Sequence, residues 1–417
     1  MCSSLVYLIG GVRPPSLPSV SRRAAPRAAR PHPGTHNGGN TLKTLRHSAR
    51  ARIAAVGIAT SGALLLAGCG AANETAAPTA PGGEAAATVS GSIAGAGATS
   101  QQAAQEAWIA GFGEANPEAT IAYDGGGSGA GREQFVAGGI QFAGSDAYLD
   151  EEELPAAVER CAGSDIVELP LYISPIAIAF NLPGVTTLNL SPATIAGMFT
   201  GAITTWDDPA IAAENPDATL PAGLAVTPVN RSDDSGTTEN FAEYLNVTAP
   251  DIWTYEPDGV WPAELAGGEA ASGTSGVIGA ISGGEGTIGY ADASQAADLG
   301  KVSVMVGSEY VAPDPAAAAA VVEASPRVES QGEYSFAVDL QRDSTTAGTY
   351  PVVLVSYLIA CSQYPDAAQA DLVKAYFTYM LSAEGQEAAA ANAGSAPISD
   401  AQRTDFQPAV DAISAAG

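Results

Sequence analysis

From Val89 onward, short runs rich in Val and Ile alternate with longer stretches in which apolar residues recur at helical spacing. This alternation predicts an α/β protein with mainly parallel strands. The strands expected are Val89–Ile93, Thr120–Tyr123, Ile166–Tyr172, Ile176–Asn181, Val226–Asn230, Thr287–Ala291, Val302–Val306 and Val352–Ile359. The helices are plainer. Ala104, Trp108 and Phe112 fall at i, i+4 and i+8; Phe241, Tyr244 and Leu245 share a face, as do Leu372, Val373, Tyr376, Phe377 and Met380. Ala316–Val322 reads as an Ala-rich helix with no chemistry to offer, and no repeat of fixed period is present.

One combination occurs three times: a turn of small residues containing Ser or Thr, directly after a strand and before an apolar-periodic helix. The first is Gly95-Ala96-Gly97-Ala98-Thr99-Ser100, the second Asp124-Gly125-Gly126-Gly127-Ser128-Gly129-Ala130-Gly131, ahead of Phe135 and Val136. The third runs from Asn230 and Arg231 through Ser232, Asp233, Asp234, Ser235 and Gly236 to Thr237 and Thr238. Each brings free N–H groups, a hydroxyl and the positive end of a helix dipole to one point, which is how helix starts bind anions. Taken singly, such a Ser or Thr is an ordinary N-cap. Three together, the last carrying Arg231 with Asp233 near enough to orient it, point to a tetrahedral oxyanion held by a bidentate guanidinium.

Charge sharpens the picture. The chain has 417 residues, 45 of them Asp or Glu and 17 Lys or Arg. The first 69 positions hold nine of the bases, no acid, and all three histidines (His32, His36 and His47). The remainder therefore sets 45 acids against eight bases, a formal charge of −37, with no histidine. Imidazole catalysis, imidazole metal sites and a Ser-His-Asp triad are excluded there, and eight scattered bases make no nucleic-acid stripe. Other uses of the glycines fail as well. Gly125-x-Gly127-x-x-Ala130 with Asp146 meets only the loosest dinucleotide fingerprint, a cofactor foreign to an exported protein. A phosphate loop of the Gly-Lys-Ser/Thr kind is impossible, since the only lysines after the signal are Lys301 and Lys374. Ser128 is followed by Gly129-Ala130, so it is not a nucleophile elbow.

The N-terminus reads as an address. Lys43, Arg46, Arg50 and Arg52 precede an apolar run from Ile53 to Leu66, too short for a membrane span, that ends in Leu66-Ala67-Gly68-Cys69. This tetrad resembles the bacterial lipobox, with Cys69 as the lipidated first residue of the mature protein. Residues 1–69 are therefore the signal region, with translation expected to begin near Leu42 and residues 1–40 to be no part of the protein; 70–88 form a flexible tether poor in residues that could be buried. The localisation expected is extracytoplasmic, lipid-anchored at the cell membrane. Only Cys161 and Cys361 remain in the body, an even pair in an oxidising compartment, and a disulfide between them is expected.

At these turns the sequence resembles the phosphate-binding protein of the bacterial high-affinity phosphate importer, the PstS family. The resemblance is carried by Gly95-Ala96-Gly97-Ala98-Thr99, Gly127-Ser128-Gly129-Ala130-Gly131, Phe142-Ala143-Gly144-Ser145-Asp146 and Arg231-Ser232-Asp233-Asp234-Ser235-Gly236-Thr237-Thr238. Softer matches are Trp206-Asp207-Asp208-Pro209-Ala210-Ile211, Gly286-Thr287-Ile288-Gly289-Tyr290 and Tyr350-Pro351, so that it spans about Ser90 to Asp400. It implies a two-lobed, periplasmic-binding-protein-like (type II) α/β fold with two hinge crossovers and a ligand cleft, divided as 89–172 with 310–417 and 173–309. It also implies phosphate ligands at Thr99, Ser100, Ser128, Asp146, Arg231, Ser235, Gly236 and Thr237, with Asp233 orienting Arg231. Ser100 stands where relatives often carry Phe or Leu, and the contact expected from it is through its backbone N–H. An ionised Asp146 accepts the proton that phosphate keeps near neutral pH and sulfate lacks. The function implied is capture of inorganic phosphate for an ABC importer permease, without cofactor, metal or nucleic acid. Arsenate, sulfate or molybdate carriage and a secreted phosphatase on the same scaffold are the alternatives.

Overall fold

The computed structural model describes residues 88–265 and 267–417. Cys69 and almost all of the tether lie outside the described residues. Among those described, eleven strands join in one mixed sheet: β1 Gly91–Gly97, β2 Ala119–Asp124, β3 Phe142–Ser145, β4 Ile166–Phe180, β5 Thr187–Leu190, β6 Thr227–Arg231, β7 Glu269–Ala271, β8 Thr287–Asp292, β9 Gly300–Val306, β10 Glu309–Val311 and β11 Val353–Cys361. The path across it is β2-β1-β3-β11-β4-β8-β6-β7, with β9 beside β4, and β5 and β10 beside β9.

The expectation of mainly parallel strands holds only toward the ends of that path. β1 runs parallel to β2 and β3, and β6 parallel to β7 and β8, but β11 is antiparallel to both β3 and β4, and β4 is antiparallel to β8. The reason is connectivity. The chain leaves the first half-sheet through β4, builds the second, and returns to insert β11 between β3 and β4.

β4 joins the two halves because all fifteen of its residues are buried, so neither face favours solvent. Sequence reading divides it into Ile166–Tyr172 and Ile176–Asn181, with Pro175 in the break and Pro170 inside the first strand. The structure runs the strand through both and puts each at an irregularity of the pairing. Pro170 sits at a register shift opposite Ser356 and Tyr357; Pro175 is the last residue paired with β11, and Ile176 the first paired with β8. Tyr350 closes over this crossing by donating its hydroxyl to the Ile176 carbonyl at 2.8 Å.

Each half has an aromatic core. Phe142 packs against Tyr376 and Phe377 beneath β3, while Phe241 stacks on Tyr290 with ring centroids 4.5 Å apart beneath β8. Cys161 and Cys361 form the expected disulfide, tying the end of helix Glu153–Arg160 to the end of β11. Arg160 lies over the Phe135 and Tyr364 rings beside it.

Candidate anion-binding site

Ligands of open α/β sheets sit beyond the carboxyl ends of parallel strands, where helices begin. Here β1, β2 and β6 each pass through a short turn into a helix: Gln102–Ala115, Ser128–Val136 and Gly236–Thr248 respectively. Only the third is closed by a side chain, Ser235 Oγ accepting from the Thr238 N–H at 3.3 Å. The first two have no side-chain cap, which leaves their opening amides to other acceptors. Sequence reading missed a fourth helix start, Gly273–Gly283 after β7. Its Gly273 N–H donates to Asp233 Oδ1 at 3.0 Å and its Thr274 N–H to Thr99 Oγ1 at 3.0 Å.

These turns converge on Asp146, just past the carboxyl end of β3 and 3 % exposed. Ser100 Oγ donates to its Oδ1 at 2.7 Å and lies 2.9 Å from Oδ2, Thr237 Oγ1 donates to Oδ2 at 2.8 Å, and Ser356 Oγ to Oδ1 at 2.6 Å. The Asp146 N–H reaches Ser128 Oγ at 3.2 Å. Burial pushes the Asp146 carboxyl above its ordinary range; the hydroxyls of Ser356, Ser100 and Thr237 and the charge of Arg231 pull it back. Ser100, from which a backbone contact to the ligand is expected, also places its side-chain hydroxyl on Asp146.

Arg231, at the end of β6, is 3 % exposed. Asp233 accepts from its Nε at 2.8 Å and from Nη2, which leaves both Nη1 protons and the second Nη2 proton for an anion. Burial raises the Asp233 carboxyl, but the hydrogen bonds and charge of Arg231 and the Gly273 N–H outweigh it, leaving Asp233 below the usual range. The circuit closes through Gly273 and Thr274 onto Thr99, whose hydroxyl lies 2.9 Å from that of Thr274.

Ser100, Ser128, Asp146, Gly236 and Thr237 are therefore in direct contact, Arg231 acts on them by its charge, and Thr99 and Ser235 hold neighbouring helix starts. Two positions demand glycine. A Cβ on Gly236 would lie 2.7 Å from Asp146 Cβ and 2.9 Å from Ser128 Oγ, so the halves touch here without room for a methyl group. Gly127, at φ +105°, lets its turn pass 2.7 Å from the Asp234 carbonyl, measured from where a Cβ would stand.

Three further polar residues belong to the site and came from no local motif. Asn240 Nδ2 donates to the Asp146 carbonyl at 2.7 Å and to that of Gly236 at 2.8 Å. Arg342, buried, donates to Asn240 Oδ1, to Glu243 at 2.8 Å, and to the Pro351 and Val353 carbonyls at 3.1 Å. Gln101 supports Ser356 from behind at 2.6 Å. Beside Asp146 opens a cavity of about 210 Å³, lined by Asp150, Glu239, Asn240, Glu243 and Tyr357 among others. Burial, countered by Arg132 and reinforced by Glu243, pushes the Glu239 carboxyl up to about 7.

Comparison with known proteins identifies the family. The profile of the PBP superfamily domain matches residues 82–384. Phosphate-binding protein PstS 3 of Mycobacterium leprae is 34% identical over 369 residues, covering 86% of this chain and 98% of its own. Phosphate-binding protein PstS2 of Mycobacterium bovis is 32% identical over 375 residues, covering 87% and 98%. Among solved structures, a high-affinity periplasmic phosphate-binding protein, PfluDING, bound with phosphate at pH 8.5, superposes with a TM-score of 0.62 at 27% identity, covering 76% of this chain and 93% of its own.

Proposed function

Because the chain belongs to the PBP superfamily and, within it, to the PstS phosphate-binding proteins, we propose that it captures inorganic phosphate outside the cytoplasm and delivers it to an ABC-type permease. The observation that carries this reading is the buried carboxylate of Asp146, set among hydroxyl donors and within the field of Arg231. An anion in the cleft accepts from the amides of the uncapped helix starts and takes the remaining Nη donors of Arg231. Thr237 and Ser100 are free to turn their hydroxyls from Asp146 Oδ2 to the ligand, and that oxygen then accepts the proton of phosphate. Sulfate brings an oxygen with no proton to the same place. An acceptor facing a buried acceptor loses its partner, and sites built on this mismatch discriminate by roughly 10⁴–10⁵.

The lobes take residues 89–172 with 310–417 and 173–309, an assignment supported by β4, which changes half-sheets between Pro175 and Ile176. The protein binds without turnover, a reading supported by residues 70–417, which contain no histidine to activate the hydroxyls beside the anion. Cys69 carries a lipid that holds the body at the membrane, a reading supported by Leu66-Ala67-Gly68-Cys69 alone.

Titration calorimetry of the body, residues 70–417, tests the assignment. Tight phosphate binding with sulfate far weaker is expected; equal affinities would overturn it. Hydrolysis of a chromogenic phosphate ester would overturn the non-enzymatic reading, and retention of Cys69→Ala at the membrane the lipid anchor.

A further inference from the structure

Behind Asp146 runs a chain of polar side chains that are all fully buried: Ser356, Gln101, Gln105 and Tyr376. It extends from the cleft into the core, through a helix face and strands that would otherwise be apolar. Its direction is set by a single backbone group. Gln101 presents one end of its amide to both Ser356 Oγ, at 2.6 Å, and the Tyr357 carbonyl, at 3.2 Å. A carbonyl only accepts, so that end is the NH₂ group. The other end, Oε1, therefore accepts, and does so from Gln105 Nε2 at 3.0 Å. Gln105 is oriented in turn, its Oε1 accepting from the Tyr376 hydroxyl at 2.8 Å. Ser356 receives a hydrogen bond from Gln101 and so points its own single proton at Asp146 Oδ1, at 2.6 Å.

Resting on the phosphate reading above, we propose that Tyr376, Gln105, Gln101 and Ser356 form a one-way relay that positions a permanent donor on Asp146 Oδ1, holding this carboxylate as an acceptor and reserving Oδ2 for the proton of the ligand. The two oxygens of Asp146 thereby differ. Thr237 and Ser100 sit on parts of the chain that meet the ligand and can turn to it; Ser356 has no second choice while Gln101 faces it. Burial alone favours the protonated carboxyl, and a protonated Asp146 is a donor that sulfate can satisfy. The relay opposes that change with neutral groups, so it adds no charge that would compete with Arg231 for the anion.

The charged and titratable groups that face Asp146 are few in kind. Arg231 from β6 favours its ionised form. Tyr123 from β2 and Tyr357 from β11 are both raised by burial and stay neutral. Across the adjoining cavity stand Glu239 and Glu243 of helix Gly236–Thr248, with Asp150 and Asp339 at its rim. Burial is what disfavours a charge on Asp146, and that is the tendency the relay resists.

The test is the ratio of phosphate to sulfate affinity, measured by calorimetry from pH 5.5 to 8.5 for the wild type, Ser356→Ala, Gln101→Met and Tyr376→Phe. Because each ligand is compared with itself at the same pH, its own titration cancels. Ser356→Ala and Gln101→Met should lower the ratio about tenfold at neutral pH, the loss of one charge-assisted hydrogen bond. The pH at which discrimination collapses should move up by about one unit. Tyr376→Phe, which deletes one oxygen three links away, should move both in the same direction by less. A mere packing defect weakens both anions together and leaves the ratio and its pH profile in place. Should Gln101→Met fail to fold, Ser356→Ala and Tyr376→Phe remain decisive. Wild-type ratios at every pH in these folded variants would overturn the relay while leaving the phosphate assignment intact. A wild type indifferent to the two anions would overturn both.

Discussion

Gly236→Ala adds one methyl group where the two halves of the sheet meet. The new carbon would stand 2.7 Å from Asp146 Cβ, 2.9 Å from the Asp146 carbonyl carbon and 2.9 Å from Ser128 Oγ, against about 3.5–4.0 Å for comfortable contact. Two of those three atoms belong to the segment that carries the carboxylate, so relief requires the halves to separate rather than one side chain to swing. Overpacking of this kind costs about 1–3 kcal/mol. The site of the cost decides the phenotype. A two-lobed fold that opens without ligand avoids it, and Ala is a better helix former than Gly by up to about 1 kcal/mol, so on this reading the melting temperature should hold or rise slightly. With phosphate bound the cleft must close, and the whole cost falls on binding, a loss of roughly 5- to 150-fold in affinity. Calorimetry and thermal melts with and without phosphate measure the two effects separately. An affinity within twofold of wild type would refute the reasoning, as would an equal loss of stability in the absence of ligand, since either would mean that Gly236 and Asp146 do not part.

Arg231→Met should weaken phosphate and sulfate binding together at every pH, since the guanidinium is always charged, whereas Asp146→Asn should narrow their ratio; competition calorimetry distinguishes the two, and a ratio unchanged in Asp146→Asn would return Asp146 to a purely structural role. Stability should fall as pH rises: burial lifts Glu168 and Glu239 to about 7 and Asp292 to about 6. Their protonated forms favour the fold, a contribution complete below the unfolded values near 4 and lost as pH passes through 6 to 7, at up to about 1.4 kcal/mol per pH unit for each group. The ligand-free body should therefore melt higher at pH 5.5 than at pH 8, Glu168→Gln should flatten the slope, and a melting temperature that rises with pH would contradict this. Removing the disulfide by Cys161→Ser with Cys361→Ser should cost about 2–5 kcal/mol of stability by denaturant titration. Phosphate affinity should stay within about twofold, because Cys361 lies five residues along β11 from Ser356, roughly 17 Å at strand rise.

What could be read from the sequence is what neighbouring residues decide among themselves. Apolar spacing placed Trp108, Phe241 and Tyr376 on helices, and Gly, Ser and Thr before each run marked three helix starts, because turn chemistry and helix dipoles act within a few residues. Arg231 and Asp233 lie two positions apart, so their pairing is local as well. Asp146 came from the family resemblance alone, since its neighbours read only as a turn. Tertiary structure decided everything that depends on which distant segments meet. Periodicity is silent on strand partners, and so it could not foresee β11 entering antiparallel between β3 and β4, nor β4 running on from Tyr172 through Pro175 as the strand the halves share. For the same reason the site lacked its rear wall. Ser356 meets Asp146 across 210 residues, Gln101 meets Ser356 across 255, and Arg342 meets Asn240 across 102. A Ser in a Val-rich strand or a Gln on a helix has no distinguishing neighbours; its role comes into being when folding buries it beside a group that needs a donor, since an unpaired polar atom in the core costs more than the hydrogen bond that satisfies it.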